Sequence, residues 1–195
     1  MDESLYIWAV DLEGSGASPP EIVDLALVEI CGIVPTGCVR HWRVRPDRCI
    51  TPQATRIHRL TDADVAEAPP VEAIRSDVME TLADRPILGH NVSVDLRLLQ
   101  RAFPGWHPPA AYDTLRMTRR LAPARNHGLT LLIDAYDLHV GAACLSDGAS
   151  RHSALYDAAA CALLFQHLME PIAVPARRAE LNAADVLDVR QGRLL

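Results

Sequence analysis

The sequence predicts an α/β fold, a mixed sheet that opens with antiparallel strands and is covered by helices. Three observations carry this. Apolar, partly β-branched runs at 5–12 and 22–30, then an alternating run at 38–45, stand at the start of the chain. A short apolar run, Ile87-Leu88-Gly89, returns between stretches with helical spacing. From Val92 onward helical periodicity dominates. A chain of 195 residues is long enough for one domain with a substantial core.

In order, residues 5–12 (LYIWAVDL) form a buried strand that ends in the Gly/Ser/Pro stretch 14–20, and 22–30 is the second strand. Residues 32–37, with Pro35, read as a hairpin turn, and 38–45 as a half-exposed third strand. Thr61 with Asp64 can cap a short helix, and 71–82 has apolar residues at 71, 74, 78 and 82. Residues 87–89 return a strand, 92–103 is a helix stopped by Pro104, and 110–113 is a further edge strand. Helices are expected at 114–121, 128–137 and 150–169, with a short one near 179–188. Residues 1–170 are therefore expected to be one domain and 171–195 a tail.

Composition narrows the function. All 19 basic residues are arginine, against 25 acids, and the formal charge is −6. That excludes a simple polycation coating nucleic acid, but not a nucleic-acid enzyme with local positive charge. Residues 1–36 carry seven acids and no base, whereas 40–59 and 97–125 each carry six arginines and one acid. Those two segments are candidate phosphate tracks, with Arg45, Arg48, Arg116 and Arg120 as examples, or solvated faces. The five cysteines show no CxxC pair and no secretory leader precedes the first strand, so reduced thiols and a cytoplasmic location are expected. No apolar stretch approaches the ~20 residues of a membrane span.

Four carboxylates and a histidine stand out. Asp11 and Glu13 end the first strand, and their i, i+2 spacing puts both on one face. Two acids that close repel each other unless a cation is present. The pair alone leaves a metal site and a solvated strand end both open. Asn91 and Asp95 share a face at the start of a helix, which also suits plain capping. His152 and Asp157 are five residues apart, a step of about 500° on a helix, so His152 is placed just before the helix and Asp157 inside it. Taken together, four acids and one imidazole suit a two-metal site that cleaves phosphodiesters, with the histidine accepting a proton from water.

In this arrangement the chain resembles the DEDDh 3′→5′ exonucleases of the RNase H-like superfamily, most closely exonuclease X-like members. Asp11-Leu12-Glu13 is similar to the first motif of that family, His90-Asn91-Val92-Ser93-Val94-Asp95 to the second, and His152 to Asp157 to the third. Residues 44–48, 57–61 and 113–121 add to the likeness, which covers about 5–169. The resemblance implies a five-stranded sheet, three strands antiparallel and two parallel. It implies two Mg²⁺ or Mn²⁺ ions held by Asp11, Glu13, Asp95 and Asp157, with His152 as general base. It further implies that Leu12, Gly14, Ser15, His58 and Asn91 bind the 3′-terminal nucleotide. Nucleic acid, with single-stranded 3′ ends foremost, is the implied partner, and a homodimer is in keeping with many relatives. Two departures bear on the base pocket: Gly14-Ser15-Gly16 shifts the usual hydroxyl by one residue, and Val94 replaces a frequent aromatic. The expected role is DNA repair or 3′-end trimming. The alternatives are an exoribonuclease of the RNase T/oligoribonuclease type, a catalytically silent nucleic-acid-binding module, or a hydrolase of another phosphate ester.

Overall fold

Alternation along the first strand sets up two cores. In β1 (Tyr6–Gly14) Ile7 and Ala9 enter one hydrophobic cluster while Trp8 and Val10 enter another. The computed structural model describes residues 5–122 and 126–187. Within them β1 is the middle strand of a five-stranded sheet of order β3-β2-β1-β4-β5. β2 (Ile22–Cys31) and β3 (Val34–Arg43) pair antiparallel with β1 and with each other in turn. β4 (Ile87–Gly89) and β5 (Ala111–Asp113) run parallel to β1.

The hairpin differs from the expected one. β2 and β3 are joined at Gly32-Ile33, Gly32 has φ +63°, and Cys31 pairs directly with Val34. Pro35 lies inside β3 rather than in a turn. An edge strand tolerates it, and the register shifts between Val28 and Ile30 close by. β3 therefore starts and ends earlier than 38–45.

Helices cover both faces. On one side lie α3 (Val71–Leu82) and α4 (Ser93–Ala102), whose Val78, Leu82 and Leu99 pack with Trp8, Leu25 and Ile87. On the other lie α5 (Thr114–Leu121), α6 (Leu129–Ala135), α7 (His139–Leu145) and α8 (Ala154–Met169), around Ile7, Ala9 and Ala26. Much of the alanine content sits here: Ala154, Ala158, Ala159, Ala160 and Ala162 of α8 are fully buried. Their small side chains let this helix lie close against the sheet.

Two helices were not foreseen. α1 (Pro52–His58) is capped by Thr51, whose Oγ1 accepts from Ala54 N at 3.2 Å, with Pro52 in the first turn. α7 contains Gly141 and is a weak helix former on its own; it packs along α8. The expected capping box holds α2 (Asp62–Val65), where Thr61 N donates to Asp64 Oδ2 at 2.7 Å. The expected 179–188 helix is instead α9 (Val174–Ala184), which begins at the Pro175 turn and buries Leu181 and Ala184. Beyond it Asp185 bridges to Tyr112, and Val186 N donates to Ala111 O at 2.8 Å, so the chain covers the outer edge of β5. Asp188 at the end of the expected helix, and Arg125 of the second arginine-rich segment, lie outside the described residues. Among the described residues no helix is long and apolar enough to cross a membrane.

Gly16 closes the loop after β1. It has φ +71°, and a Cβ there would stand 2.3 Å from Thr51 Oγ1, the cap of α1. Gly16→Ala is expected to cost about 2–4 kcal/mol, read as a lower urea midpoint, because it combines left-handed strain with a clash. A variant as stable as the parent would show that the loop is not held in this conformation.

Candidate active site

The end of β1 meets the start of α8. Strand alternation puts Asp11 and Glu13 on the α8 side of the sheet, and Asp157 comes from the first turn of α8. One carboxylate oxygen from each of the three lies within 4.8 Å of the other two. Asp95, in the first turn of α4, reaches the same strand from the opposite layer: its Oδ1 accepts from Leu12 N at 3.2 Å. His152 is exposed, has φ +64°, and precedes Ser153, the N-cap of α8, whose Oγ accepts from Tyr156 N. The ring therefore stands outside the helix, one short step from Asp157. The preceding Arg151 ties this loop to α6 through two hydrogen bonds to Asp134, at 2.5 and 3.1 Å.

Electrostatics follow from that crowding. Burial, then the charges of Asp157, Asp24 and Asp95, push Glu13 from its ordinary 4.5 up to about 8. Burial and the charge of Asp95 hold Asp11 well above the usual carboxylate range. Burial raises Asp95 to about 7 against the pull of the Leu12 amide, and raises Asp157 against the pull of His152. A cluster of oxygen donors that resist ionising together is a fit for hard divalent cations, which would offset the repulsion. Asp11, Glu13 and Asp157 form the group that could hold such an ion, and Asp95 approaches from the other side of β1 at the Leu12 amide.

A further acid, Asp24, is fully buried beside the cluster and is not apparent from the sequence. Asp24 pairs in register with Glu13 across β1 and β2. Its Oδ1 meets His41 Nε2 at 2.8 Å and Arg43 Nε at 3.0 Å, and its Oδ2 accepts from Ala154 N at 3.4 Å. Asp24 thus anchors the first turn of α8 to the sheet, on the side of the helix start. The one available signal, an acid inside an otherwise apolar strand, lies in IVDLALV.

The five residues expected around the terminal nucleotide divide. Leu12, Gly14 and His58 line a cavity of about 600 Å³ together with Glu13. The His58 Nδ1 accepts from Leu60 N at 3.1 Å, so its Nε2–H faces Gly14 O at 3.3 Å, and burial lowers its pKa. Ser15 is turned away: it is fully buried, its Oγ accepts from Glu21 N, and its amide and carbonyl are taken by Glu21 and Thr51. Asn91 is exposed at φ +67°, donates its amide to Asp113 Oδ1 at 2.9 Å, and is not among the residues around the cavity. The neighbouring His90 is held by Thr114 Oγ1 and His127 O, so it braces β4 against α5. Trp8, Trp42 and Trp106 are all buried in the second core, and none is free to stack a base.

Residues 9–165 match the RNase_T exonuclease family model. The chain belongs to the exonuclease family. Exodeoxyribonuclease 10 of Escherichia coli (strain K12) is 32% identical over 148 residues, which cover 76% of this chain and 62% of that protein, under two thirds of its length. DNA polymerase III subunit epsilon of Rickettsia felis is 28% identical over 170 residues, covering 82% and 72%. The structure titled exonuclease X in complex with 5′ overhanging duplex DNA superposes with a TM-score of 0.67 at 31% identity, covering 86% of this chain and 92% of that one. Escherichia coli exonuclease I in complex with a dA16 oligonucleotide shares the fold, with a TM-score of 0.69 at 18% identity, covering 89% and 42%. This exonuclease is thus a hydrolase of the 3′→5′ type with an RNase H-like sheet, from a family that generally depends on divalent metal.

The raised carboxyls make a sign-definite prediction. Without metal, the folded state keeps protons that the unfolded chain has released between about pH 4.5 and 8. Stability in EDTA should therefore fall as pH rises through that window, by on the order of a few kcal/mol. Added Mg²⁺ should restore it most at the alkaline end. Thermal melts from pH 5 to 8.5 test this; a flat EDTA profile would count against the crowded acidic site.

Proposed function

We propose that this exonuclease removes nucleoside 5′-monophosphates from the 3′ end of DNA. The observation that carries the reading is the convergence of Asp11, Glu13 and Asp157 within 4.8 Å beside a nucleotide-sized cavity. The cavity supports the seat of the terminal nucleotide. Leu12 and the exposed Ile57 and Val94 offer apolar walls to a base, and His58 fixes the backbone at Gly14. Val94 supplies an aliphatic wall where many relatives use an aromatic.

Two ions, Mg²⁺ or Mn²⁺, fit the four acids; when bound, they supply charge neutralisation at the scissile phosphate and acidify the attacking water. The protein supplies the rest. Asp11, Glu13, Asp95 and Asp157 hold the ions. His152 takes the proton from the water, and its position outside α8 leaves the ring room to reach it. Asp24 keeps the start of α8 in place against the sheet. Single-stranded 3′ ends fit an open cavity with one strand's width of apolar wall, and repair or trimming of such ends in the cytoplasm is the role in this reading. A homodimer is part of it only by analogy with relatives. DNA is favoured over RNA by the likeness to exodeoxyribonuclease 10 and to a DNA-bound exonuclease X.

A 5′-labelled single strand with Mg²⁺ should yield a ladder that EDTA abolishes. Asp11→Ala and Asp157→Ala should be folded and inert. His152→Ala should lose about 10²–10⁴-fold in kcat while retaining metal binding by calorimetry. Full activity in the Asp11→Ala/Asp157→Ala double variant would sink the mechanism, and full rate in His152→Ala would remove the general base. Matched DNA and RNA 3′ ends in the same assay decide the sugar: faster RNA digestion would replace this reading with an exoribonuclease.

A further inference from the structure

Most arginines of the chain that the structure describes are engaged. Arg43 pairs with Asp24, Arg48 with Glu21, Arg85 with Glu29, Arg120 with Glu180 and Arg151 with Asp134. Arg45 donates to Ala66 O and Arg116 to Asp185 O. The arginines named from sequence as phosphate-track examples therefore all have protein partners.

Two others differ. Arg97 and Arg101 make no hydrogen bond, ion pair or ring contact among the described residues, and both are exposed on α4. They line the cavity that also contains Glu13 and Gly14. Val94, Arg97, Leu98 and Arg101 all line it, and their i, i+3, i+4, i+7 spacing makes one stripe of the helix. The stripe is an apolar shelf with two free guanidinium groups at its rim. Arg97 and Arg101 are one turn apart, about 6 Å along the axis, a separation comparable with that of adjacent phosphates in an extended strand.

A second cavity of about 250 Å³ continues from there and shares Pro20, Leu98 and Arg101 with the first. Its charge is mixed: Glu21, Asp47 and Glu72 face Arg45 and Arg75 there, so it offers a phosphate backbone less than the α4 stripe does.

We propose that Arg97 and Arg101 form a subsite for the two phosphates upstream of the 3′-terminal nucleotide of a single strand. This rests on the exonuclease reading for the position of the terminal nucleotide. With the 3′ end at the carboxylates, the preceding backbone runs along α4. Each guanidinium binds a phosphate through paired N–H donors, and Val94 and Leu98 pack beneath the sugars and bases. The subsite takes two phosphates and is blind to base identity because it reads the backbone.

The test measures binding without turnover. Fluorescence anisotropy of a 5′-fluorescein oligo-dT is followed in EDTA across a salt series, with folding checked by circular dichroism. Each phosphate contact on a single strand contributes about 0.7 to the slope of log affinity against log salt, so Arg97→Gln/Arg101→Gln should lower that slope by about 1.4. Arg97→Lys/Arg101→Lys should keep most of it, whereas Arg116→Gln/Arg120→Gln should leave it as in the parent. An unchanged slope in the Gln double variant overturns the subsite, as does an equal fall in the Arg116/Arg120 variant. The two readings separate cleanly. A protein that binds with the expected slopes but cleaves nothing loses the exonuclease mechanism and keeps the subsite. One that cleaves normally with an unchanged slope loses the subsite alone.

Discussion

Repulsion among buried carboxylates at the end of β1 is the constraint around which the molecule is arranged. Asp11, Glu13, Asp95 and Asp157 come from one strand and two helices on opposite layers, and burial makes each harder to ionise beside the others. Such a cluster opposes its own assembly, so the surrounding structure must hold it closed. The hydrophobic cores on the two faces do this. The alanine-lined face of α8 brings Asp157 down onto the sheet, and the packing of Leu96 and Leu99 fixes α4 so that Asp95 reaches the Leu12 amide.

Asp24 shows how the sheet shares that task. It is fully buried with its charge facing His41 and Arg43, and its second oxygen takes the first free amide of α8. One acid therefore joins β2, β3 and α8 beside the cluster formed by Asp11, Glu13 and Asp157. Such an arrangement stores electrostatic tension in the acids that would face metal and relieves it in the acid that would not. Among the arginines, several that brace the fold are paired with carboxylates or carbonyls, whereas Arg97 and Arg101, which line the cavity, have no such partner among the described residues.

How much of this could be read from the sequence depended on the range of the interaction concerned. Asp11 and Glu13 were legible because period-2 alternation needs only neighbours, and the position of His152 followed from the angle of a five-residue step. The two-layer α/β architecture was legible from the switch of period along the chain. Asp24 and His41 were not, because their meeting depends on the register of the β2–β3 hairpin. Placing the turn at 32–37 rather than at Gly32-Ile33 loses the pairing of Asp24 with Arg43. The inward turn of Ser15 was hidden for a related reason. Its hydroxyl sits next to the acidic motif in the chain, but the loop to Glu21 folds it inward. Which arginines are free was likewise beyond sequence, since counting charges says nothing of which acids answer them.

The bridge between Tyr112 and Asp185 has a consequence for how the molecule behaves in a crowd. With β5 covered by the residues that follow α9, the sheet among the described residues has its other margin at β3. That margin is interrupted by Pro35, which lacks an amide hydrogen, and by Gly37 at φ +84°. A foreign strand seeking to add itself finds a ladder with missing rungs on one side and an occupied one on the other. The fold thus guards against strand-by-strand association while leaving the mouth of its acidic cleft, at the far end of the central strand, open to a substrate that needs no strand pairing at all.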